Sequence, residues 1–373
     1  MVQAGPPRIA IDAHVVGRGQ TGNETYAVEL ATALAGRRDV EAIAYVDAGV
    51  RWPRDGGPRV HELRYRSRYL RLLLELPIAV RRDHARLLHV QYVAPPVSPI
   101  PIVAAVHDLS FVDVPDDFSR RSALRLRATV ASTVRRAAVV LTVSAFTKHR
   151  LIEHYGFPED RVIVTPNGVA ARWRPLTDLE AERSLEAAGL AALPPRFVLA
   201  VGNIHPRKNI ARLIRAVAAA RAAGGRDVEL VVAGKRRRAD DVDAEVRRTD
   251  GGWVHFLGYV PDAAVVALMN RAAVVAYPSL YEGFGLPVLE AMACGAVVVA
   301  GNRTSIPEVA GDAAVLVDPT SDDDLAAGLL AALDDAGVRG RLAAAGLKRA
   351  AEFTWARCAE LTAAAYLQVL HPG

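Results

Sequence analysis

The sequence predicts an α/β protein built from two Rossmann-like βαβ domains. Short, continuous apolar runs, which are typical of parallel strands covered on both faces, alternate with segments of helical apolar periodicity. The alternation restarts at Phe197, shortly after the Pro194-Pro195 pair, as a second βαβ domain would require. The chain of 373 residues is also long enough for two domains of ordinary size.

Composition narrows the class of protein. Hydrophobic residues make up 51% of the chain, yet no apolar run approaches the roughly 18 residues of a membrane-spanning helix. The first residues lack the basic and apolar regions of a signal peptide, so a cytoplasmic protein is expected. The two cysteines, Cys294 and Cys358, offer neither a disulfide framework nor metal-ligand spacing.

The stretch from Tyr277 to Glu290 has the pattern of a strand end, a glycine-containing loop and a helix. The apolar run 272–276 before it predicts a buried strand. Gly283 and Gly285 would let the backbone approach a ligand closely. Pro287 suits the first turn of the helix that follows.

The start of that helix is a candidate anion site, because its exposed amides and its dipole favour a negatively charged group. Glu282 lies on the loop before the helix, and Glu290 lies inside the helix. Carboxylates beside an anion site suit a ligand that carries both phosphates and sugar hydroxyls. A nucleotide sugar is such a ligand.

Glu282 and Glu290 flank Gly-Phe-Gly-Leu-Pro in a spacing that resembles the E-x7-E motif of the retaining GT-B glycosyltransferases of family 4. The resemblance implies two Rossmann-like domains facing a central cleft, with the last helix crossing back to the first domain. It also implies transfer of a hexose from a nucleotide-diphosphate sugar to an acceptor hydroxyl, with retention of anomeric configuration. The alternative interpretation is an ordinary strand, loop and helix with two solvated glutamates.

A second match to the family lies at the start of the second series of strands. The segment Gly202-Asn-Ile-His-Pro-Arg-Lys-Asn209 follows the predicted strand 197–201, and Asn209 is expected to cap the next helix. Arg207 and Lys208 would oppose the helix dipole, so they suit this position only if an anion joins them. In the family the corresponding pair grips the donor diphosphate.

His107 and Asp108 follow the predicted strand 102–106 at its carboxyl end, where α/β sheets bind ligands. A lone histidine is more often structural than catalytic. The His-Asp-Leu-Ser-Phe segment nevertheless resembles a family element whose histidine contacts the transferred sugar near its C6 hydroxyl, and it resembles members that use GDP-mannose. We therefore expect a functional His107 and favour GDP-mannose over UDP sugars, with Asp108 orienting the loop or the histidine.

The resemblance assigns roles to the other site residues. The expected catalytic residues are His107, Arg207, Lys208 and Glu282. The expected donor-binding residues are Gly22, Gly202, Tyr259, Val260, Phe284, Gly285, Leu286 and Glu290. Glu282 would hold hydroxyls of the sugar, Glu290 would hold the ribose, and the turn at Tyr259 would lie against the base.

No metal and no other cofactor is expected, because the Arg207-Lys208 pair would take the place of a divalent ion on the diphosphate. Literal D-x-D strings do occur at Asp241-Val-Asp243 and Asp322-Asp-Asp324. Both fall at or just before the start of polar helical stretches, where acidic residues suit the helix dipole, so neither is assigned a metal.

The expected domains are an N-terminal acceptor domain over residues 1–171, a linker over 172–195 and a C-terminal donor domain over 196–352. A terminal helix within about 353–373 would rejoin the first domain. The acceptor is left open between a glycan, a lipid-linked intermediate and a small molecule.

The segment Gly17-Arg-Gly-Gln-Thr-Gly22 keeps a dinucleotide-binding oxidoreductase open as an alternative. It is a literal G-x-G-x-x-G between a predicted strand and a predicted helix, and Asp47 ends the next predicted strand. The residues between Asp12 and the first glycine make the connection longer than the tight turn of that fingerprint. The overlapping Gly22-Asn-Glu-Thr-Tyr26 also resembles the glycine-rich loop of the glycosyltransferase family.

Two further alternatives concern the paired glutamates. A glycoside hydrolase would use Glu282 and Glu290 as its acid and its nucleophile, and would release sugar without any nucleotide. A scaffold that only binds a partner would keep the fold without needing the charged motifs.

Arginines are concentrated among leucines between residues 62 and 90. The part from Leu63 to Leu76 predicts an amphipathic helix with Tyr69, Leu70, Leu73 and Leu74 on one side. Such helices can lie on anionic membranes, and several family members attach in this way. Peripheral contact with the inner face of the plasma membrane is therefore left open beside a solvated helix face. The basic loop Gly234-Lys-Arg-Arg-Arg238 lacks an aromatic platform, so no nucleic acid partner is expected.

Overall fold

The computed structural model describes residues 5–19, 21–65, 67–224, 227–236 and 239–371. The chain divides into two compact units. The first comprises the residues up to Gly168 together with those from Phe353 onward, and the second runs from Val169 to Glu352. Residues 172–195, which the sequence sets apart as a linker, lie in the second unit.

The first unit contains, among its described residues, a seven-stranded parallel sheet with the order β3-β2-β1-β4-β5-β6-β7. Its strands are β1 (Arg8–Asp12), β2 (Glu41–Asp47), β3 (Arg59–Leu63), β4 (Leu87–Gln91), β5 (Ile102–Val106), β6 (Val139–Thr142) and β7 (Val162–Val164). The central strands are buried along their whole length because helices cover both faces of the sheet.

Six helices lie between β1 and β7 in the described residues of the first unit. They are α1 (Thr21–Ala35), α2 (Arg68–Leu70), α3 (Leu76–Arg82), α4 (Ser110–Asp113), α5 (Arg120–Arg136) and α6 (Ala145–Tyr155). A π-helical turn, Arg71–Glu75, joins α2 to α3, and short 3₁₀ turns occupy Pro115–Asp117 and Glu159–Arg161. Ser119 and Ser144 cap α5 and α6 by accepting a backbone amide bond in the first turn.

The second unit contains a six-stranded parallel sheet in its described residues, with the order β10-β9-β8-β11-β12-β13. Its strands are β8 (Phe197–Val201), β9 (Glu229–Ala233), β10 (Val254–Gly258), β11 (Val274–Tyr277), β12 (Val298–Gly301) and β13 (Val315–Val317). Its helices are α7 (Asp178–Ala187), α8 (Ile210–Gly224), α9 (Asp240–Arg248), α10 (Asp262–Arg271), α11 (Leu286–Ala293), α12 (Ile306–Ala310), α13 (Asp322–Asp334) and α14 (Ala336–Ala351), with a 3₁₀ turn at Pro206–Lys208.

The last helix, α15 (Trp355–Leu370), belongs to the first unit, as the family resemblance implied. It packs against α1, and its residues Cys358, Ala363 and Tyr366 are buried there. None of the helices in the described part of the chain is both long enough and apolar enough to cross a lipid bilayer.

Both sheets reverse their strand order once. In the first unit the reversal lies between β1 and β4, and in the second unit it lies between β8 and β11. The loops at the carboxyl ends of the strands on either side of such a point diverge to opposite faces of the sheet, which leaves a crevice where α/β proteins bind ligands. The loops that follow β8 and β11 carry the two strongest motifs of the sequence.

The arginine-rich segment differs from its prediction. The helix does not begin at Leu63, because that residue ends the unpredicted strand β3, and the helical part begins only at Arg68. The first strand is also shorter than predicted, since the sequence predicts a strand over residues 8–16 and β1 ends at Asp12. Val15 and Val16, which follow it, are buried against other apolar side chains.

Candidate active site

The loops after β8 and β11 bring Arg207, Lys208 and Glu282 together. Lys208 Nζ donates to Glu282 Oε1 at 2.5 Å, and Arg207 Nη1 lies 3.3 Å from Glu282 Oε2. The two loops are also joined through their backbones, because the amide of Leu280 donates to the carbonyl of Arg207 at 2.8 Å. The structure therefore brings the two motifs together around the carboxylate of Glu282.

Lys208 is held on its other side by an aromatic ring. Its ammonium donates to the hydroxyl of Tyr277 and lies 4.6 Å from the centroid of that ring. A cation over a tyrosine face is stabilised by the negative face of the ring. Because Tyr277 ends β11 and is buried, it fixes where the ammonium points.

Glu282 remains ionised at this site. Burial alone would raise its pKa. The charges of Lys208 and Arg207, together with hydrogen bonds from Lys208 and from Ser279 Oγ at 2.7 Å, outweigh burial and lower the pKa to about 2. The cluster therefore carries two cations and one carboxylate at neutral pH. Its net positive charge favours an anionic ligand.

The backbone of Glu282 is fixed by the loop after β12. The amide of Glu282 donates to Thr304 Oγ1 at 3.1 Å, and Ser305 Oγ donates to the carbonyl of Glu282 at 2.9 Å. Sequence reasoning did not assign a role to Ser279 or Thr304. Their partners become visible only when separate loops are brought together, so no local pattern could have identified them.

The conformation and surroundings of Gly285 explain why the motif has a glycine at this position. Its φ of 102° is in the left-handed region, and a Cβ there would stand 2.5 Å from Ile306 Cδ1. Gly285 is the N-cap of α11, which starts at Leu286, so the amides of Phe284 to Leu286 lie at a helix N-terminus. Glu290 lies on the same helix and is half-buried.

Asn209 does not play its predicted role. Its side chain donates to the carbonyls of Pro278 and Pro319 instead of capping α8, and its φ of 59° places it in the left-handed region between the 3₁₀ turn and the helix. The Arg207-Lys208 pair therefore lies on a separate short turn, and not on the first turn of α8.

The remaining donor residues of the second unit follow two different strands. Gly202 follows the central strand β8, and its amide donates to the carbonyl of Ala233 at 2.9 Å. Tyr259 follows the edge strand β10 and is 69% exposed, whereas Val260 beside it is buried. Lys235 Nζ lies 5.1 Å from the centroid of the Tyr259 ring.

His107 lies at the end of β5 in the first unit, as predicted. Its Nε2 is 2.9 Å from Gln91 Oε1, and its ring meets that of Tyr26 edge-on at 4.4 Å between centroids. Burial lowers the pKa of His107 to about 4, and Asp108 opposes this only in part, so the ring is neutral near pH 7. Asp108 itself accepts bonds from the amide and hydroxyl of Ser110, which makes it a residue that orders the loop.

The G-x-G-x-x-G segment does not form a dinucleotide fingerprint. Asp47, the expected ribose ligand, accepts from Arg18 Nε at 2.9 Å and lies 3.7 Å from Arg71 Nη1. The connection between β1 and α1 is long, because β1 ends at Asp12 and α1 begins at Thr21. Gly22 lies in the first, exposed turn of α1. Gln20, which completes the motif, lies outside the described residues.

The two acidic strings serve as helix starts and ion pairs. Asp243 pairs with Arg236 in the first turn of α9. Asp322 accepts from Arg215 Nε at 2.7 Å, and Asp324 accepts from the amide of Asp318 at 2.6 Å. Within the described ranges, no group of three or more His, Cys, Asp or Glu side chains could hold a metal ion.

Comparison with known proteins covers both units. The family model of glycosyl transferases group 1 matches residues 183–349, and the model of glycosyltransferase family 4 matches residues 21–172. O-antigen chain mannosyltransferase B of Escherichia coli is 35% identical over 266 residues, which cover 71% of this chain and 69% of that protein. MMP alpha-(1->4)-mannosyltransferase of Mycolicibacterium hassiacum is 32% identical over 234 residues, which cover 61% of this chain and 53% of that protein.

Solved structures share the fold at low identity. Sucrose-phosphate synthase from Thermosynechococcus elongatus aligns with a TM-score of 0.78 at 20% identity, over 99% of this chain and 100% of that chain. Anabaena Alr3699/HepE in complex with UDP and glucose aligns with a TM-score of 0.76 at 20% identity, over 97% and 100% of the two chains. With the matched family models and the mannosyltransferase relative, these findings show that the chain is a glycosyltransferase of family 4, a member of the glycosyl transferases group 1 with the GT-B fold.

Proposed function

We propose that this glycosyltransferase moves a mannosyl group from GDP-mannose to an acceptor hydroxyl, with retention of anomeric configuration and without a metal ion. The cluster of Arg207, Lys208 and Glu282 carries the proposal, because it offers two fixed cations around one carboxylate. The choice of mannose rests on relatives whose names state that they are mannosyltransferases.

The leaving group explains the two cations. When the bond to the sugar breaks, negative charge accumulates on the departing nucleoside diphosphate, and positive groups already in place stabilise it. Lys208 is positioned by Tyr277 and Glu282 before any ligand arrives, so no reorganisation is needed. The amides at the start of α11 would add neutral donors.

Glu282 would hold sugar hydroxyls as a charged acceptor, Glu290 would hold the ribose, and His107 would contact the transferred sugar. With a pKa of about 2, Glu282 is a poor base and cannot act as an acid near neutral pH. A phosphate oxygen of the leaving group is therefore the proposed acceptor of the proton from the attacking hydroxyl, which places attack and departure on the same face of the sugar.

The assignment of Glu282 as the acid of a glycoside hydrolase loses support from the same pKa. A hydrolase of that kind needs one carboxyl protonated near neutral pH. Glu282, fixed between Lys208 and Arg207, is ionised, so only the role of nucleophile would fit it. The oxidoreductase alternative loses support because Asp47 is engaged by arginines.

Ligand-induced stabilisation tests the donor. We expect GDP to raise the melting temperature more than UDP, ADP or NADH, and we expect Lys208→Ala to remove most of that rise. The same variant should slow release of GDP from GDP-mannose by about 10²–10³-fold, as losing one fixed donor in a closed site does. Lys348→Ala, an exposed lysine on α14 of the same unit, is the matched control. A larger shift with NADH, or an unchanged shift in Lys208→Ala, would remove the cluster from donor binding.

We also propose that the first unit contacts an anionic membrane surface through an apolar ridge, defined here as Tyr65, Tyr69, Leu70, Leu73, Leu74 and Ile78. Each of these side chains is between 41% and 64% exposed. All six lie within residues 65–78, and such a concentration of exposed apolar side chains is typical of an interaction surface.

The positive charges of nearby arginines favour an anionic lipid surface as the partner of the ridge. Arg64, Arg81 and Arg82 are exposed around it, and each cation near an anionic lipid surface contributes about 1 kcal/mol at most. The helices α3 and α5 contribute to the same apolar core, so they cover the same face of the sheet, and α5 exposes Leu124 among further arginines. On the membrane interpretation the sequence predicts that Arg64, Arg68 and Arg71 meet anionic head groups. This is wrong for Arg71, which is 2% exposed, and the side chain of Arg68 lies outside the described part of the structure.

Sedimentation with vesicles tests this surface. We expect binding to vesicles containing phosphatidylglycerol at low salt, weaker binding at high salt because screening shortens the range of the arginine charges, and little binding to phosphatidylcholine alone. Replacing Leu70, Leu73 and Leu74 together with serine should abolish binding. Leu179→Ser, which changes an exposed leucine of α7, is the control. Protein that stays in the supernatant with anionic vesicles at low salt would contradict the proposal.

A further inference from the structure

A chain of buried polar side chains joins the C-terminal helix to His107. Tyr366 on α15 places its hydroxyl 2.6 Å from Nδ1 of His89 on β4, although the two residues are 277 positions apart. On the other side of the same ring, Nε2 of His89 lies 3.4 Å from the hydroxyl of Tyr26 on α1. Tyr26 in turn meets His107 edge-on.

These side chains have no access to solvent. Tyr366 and His89 are 0% exposed, and Tyr26 is 2% exposed. Burying a hydroxyl or an imidazole is unfavourable unless its hydrogen bonds are made, and aliphatic side chains would fill the same space without that requirement. A polar chain at this place therefore gives something that packing alone would not, namely a defined orientation of each ring.

The neutral state of His89 matches its two hydroxyl partners. Burial, together with the nearby His107, lowers the pKa of His89 to about 3, so the ring is neutral near pH 7. A neutral imidazole donates from one nitrogen and accepts at the other, and a tyrosine hydroxyl can fill either role. Both ring nitrogens therefore have a hydroxyl partner, and removing either hydroxyl leaves a ring nitrogen without one.

We propose that Tyr366, His89 and Tyr26 are positioning residues that fix the ring of His107 for catalysis. The proposal rests on the proposed function, in which His107 contacts the transferred sugar. Gln91 Oε1 lies 2.9 Å from Nε2 of His107, and the ring of Tyr26 packs against the same imidazole at 69° to its plane, with 4.4 Å between centroids. The helix that returns to the first unit at the end of the chain then contributes to the reaction through Tyr366.

The test removes one oxygen atom. Tyr366→Phe keeps the aromatic packing of α15 but leaves Nδ1 of His89 without its partner. We expect release of GDP from GDP-mannose, with water as the acceptor, to fall about tenfold in kcat, because small displacements of a group that positions the substrate have effects of that order or larger. The KM for GDP-mannose should change less than twofold, since donor affinity is carried by the second unit.

A double-mutant cycle separates positioning from a general structural effect. If Tyr366 acts through His107, the loss caused by Tyr366→Phe disappears in a His107→Ala background, whereas a structural effect would add to it. Tyr155→Phe is the matched control, because the hydroxyl of Tyr155 is buried without a hydrogen-bond partner within the described residues. It should leave kcat unchanged.

The outcomes are distinguishable. A wild-type kcat in Tyr366→Phe, with reduced kcat in His107→Ala, overturns the positioning chain and leaves the proposed function intact. A wild-type kcat in His107→Ala overturns both the chain and the proposed role of His107. If no release of GDP is detectable, the ¹⁵N resonances of the imidazole rings decide: those of His89 and His107 should shift in Tyr366→Phe and not in Tyr155→Phe, and unchanged resonances overturn the proposal.

Discussion

A buried carboxylate such as that of Glu282 stays charged only if neighbouring cations offset its lost hydration. Lys208 and Arg207 do so here, and the pKa of Glu282 falls to about 2 in spite of burial. The buried His89 and His107 instead stay neutral. No carboxylate hydrogen-bonds to either ring in the described structure, so no such bond offsets the cost of burying a charged imidazole. The cluster around Glu282 thus offers fixed charge, whereas the two buried histidines offer neutral hydrogen-bonding groups.

The two histidines predict how stability depends on pH. Their pKa values, about 3 for His89 and about 4 for His107, lie below the ordinary value of 6.5, so the unfolded chain binds protons before the folded chain does. The free energy of unfolding should therefore decrease as pH falls from 7 toward 4, by about 1.4 kcal/mol per pH unit for each histidine that is charged only when unfolded. Glu282 adds a loss in the same direction between its ordinary pKa of 4.5 and about 2.

Urea unfolding at pH 7, 6 and 5 measures this dependence. His89→Gln should be less stable than the parent at pH 7, yet its stability should fall less steeply with decreasing pH, because one buried imidazole is gone. Equal slopes for the parent chain and the variant would contradict the assignment of His89 as a neutral buried ring.

At the scale of elements, a glycine is required at the point where the chain leaves the first unit. The chain leaves the first unit after Gly168 and returns at Phe353, and these two segments touch. A Cβ on Gly168 would stand 2.1 Å from the backbone nitrogen of Trp355 and 2.3 Å from the carbonyl carbon of Thr354. Backbone atoms cannot rotate away as a side chain could, so only glycine fits there without a shift.

Gly168→Ala should therefore destabilise the protein by about 1–3 kcal/mol, the usual range for overpacking a well-packed site. Gly340→Ala on α14 is the control, because nothing lies within 4 Å of a Cβ at that position and helix propensity alone should stabilise it slightly. Thermal unfolding of both variants decides the point. A Gly168→Ala protein as stable as its parent would mean that the docking of α15 tolerates a displaced backbone.

Over the whole molecule, the features that could be predicted are those that leave a pattern in neighbouring residues of the sequence. Two series of parallel strands were legible from periodicity, whereas the return of the last helix and the roles of the motifs around Lys208 and Glu282 were implied by the family resemblance. Residue types at motif positions report the chemistry of a ligand even before the loops that carry them can be placed in space.

The parts that could not be predicted depend on tertiary contacts. Lys208 and Glu282 are 74 positions apart, and Tyr366 and His89 are 277 apart, so their bonds follow from topology and not from any local signal. Strand β3 was missed because it carries Arg59, His61 and Glu62 at the sheet edge, which obscures its alternation. Arg71 was taken for a surface residue because helical periodicity does not anticipate the π-turn that starts there.

The proposed reaction is transfer from GDP-mannose with retention, at a cluster that would need no metal. The most direct measurement is ¹H NMR of the mannose first released from GDP-α-mannose by the purified protein, recorded before mutarotation and in excess EDTA. We expect release of GDP, the α-anomer as the first product, and the same rate with and without EDTA. The β-anomer as first product, or a reaction that stops in EDTA and resumes with magnesium or manganese, would contradict it.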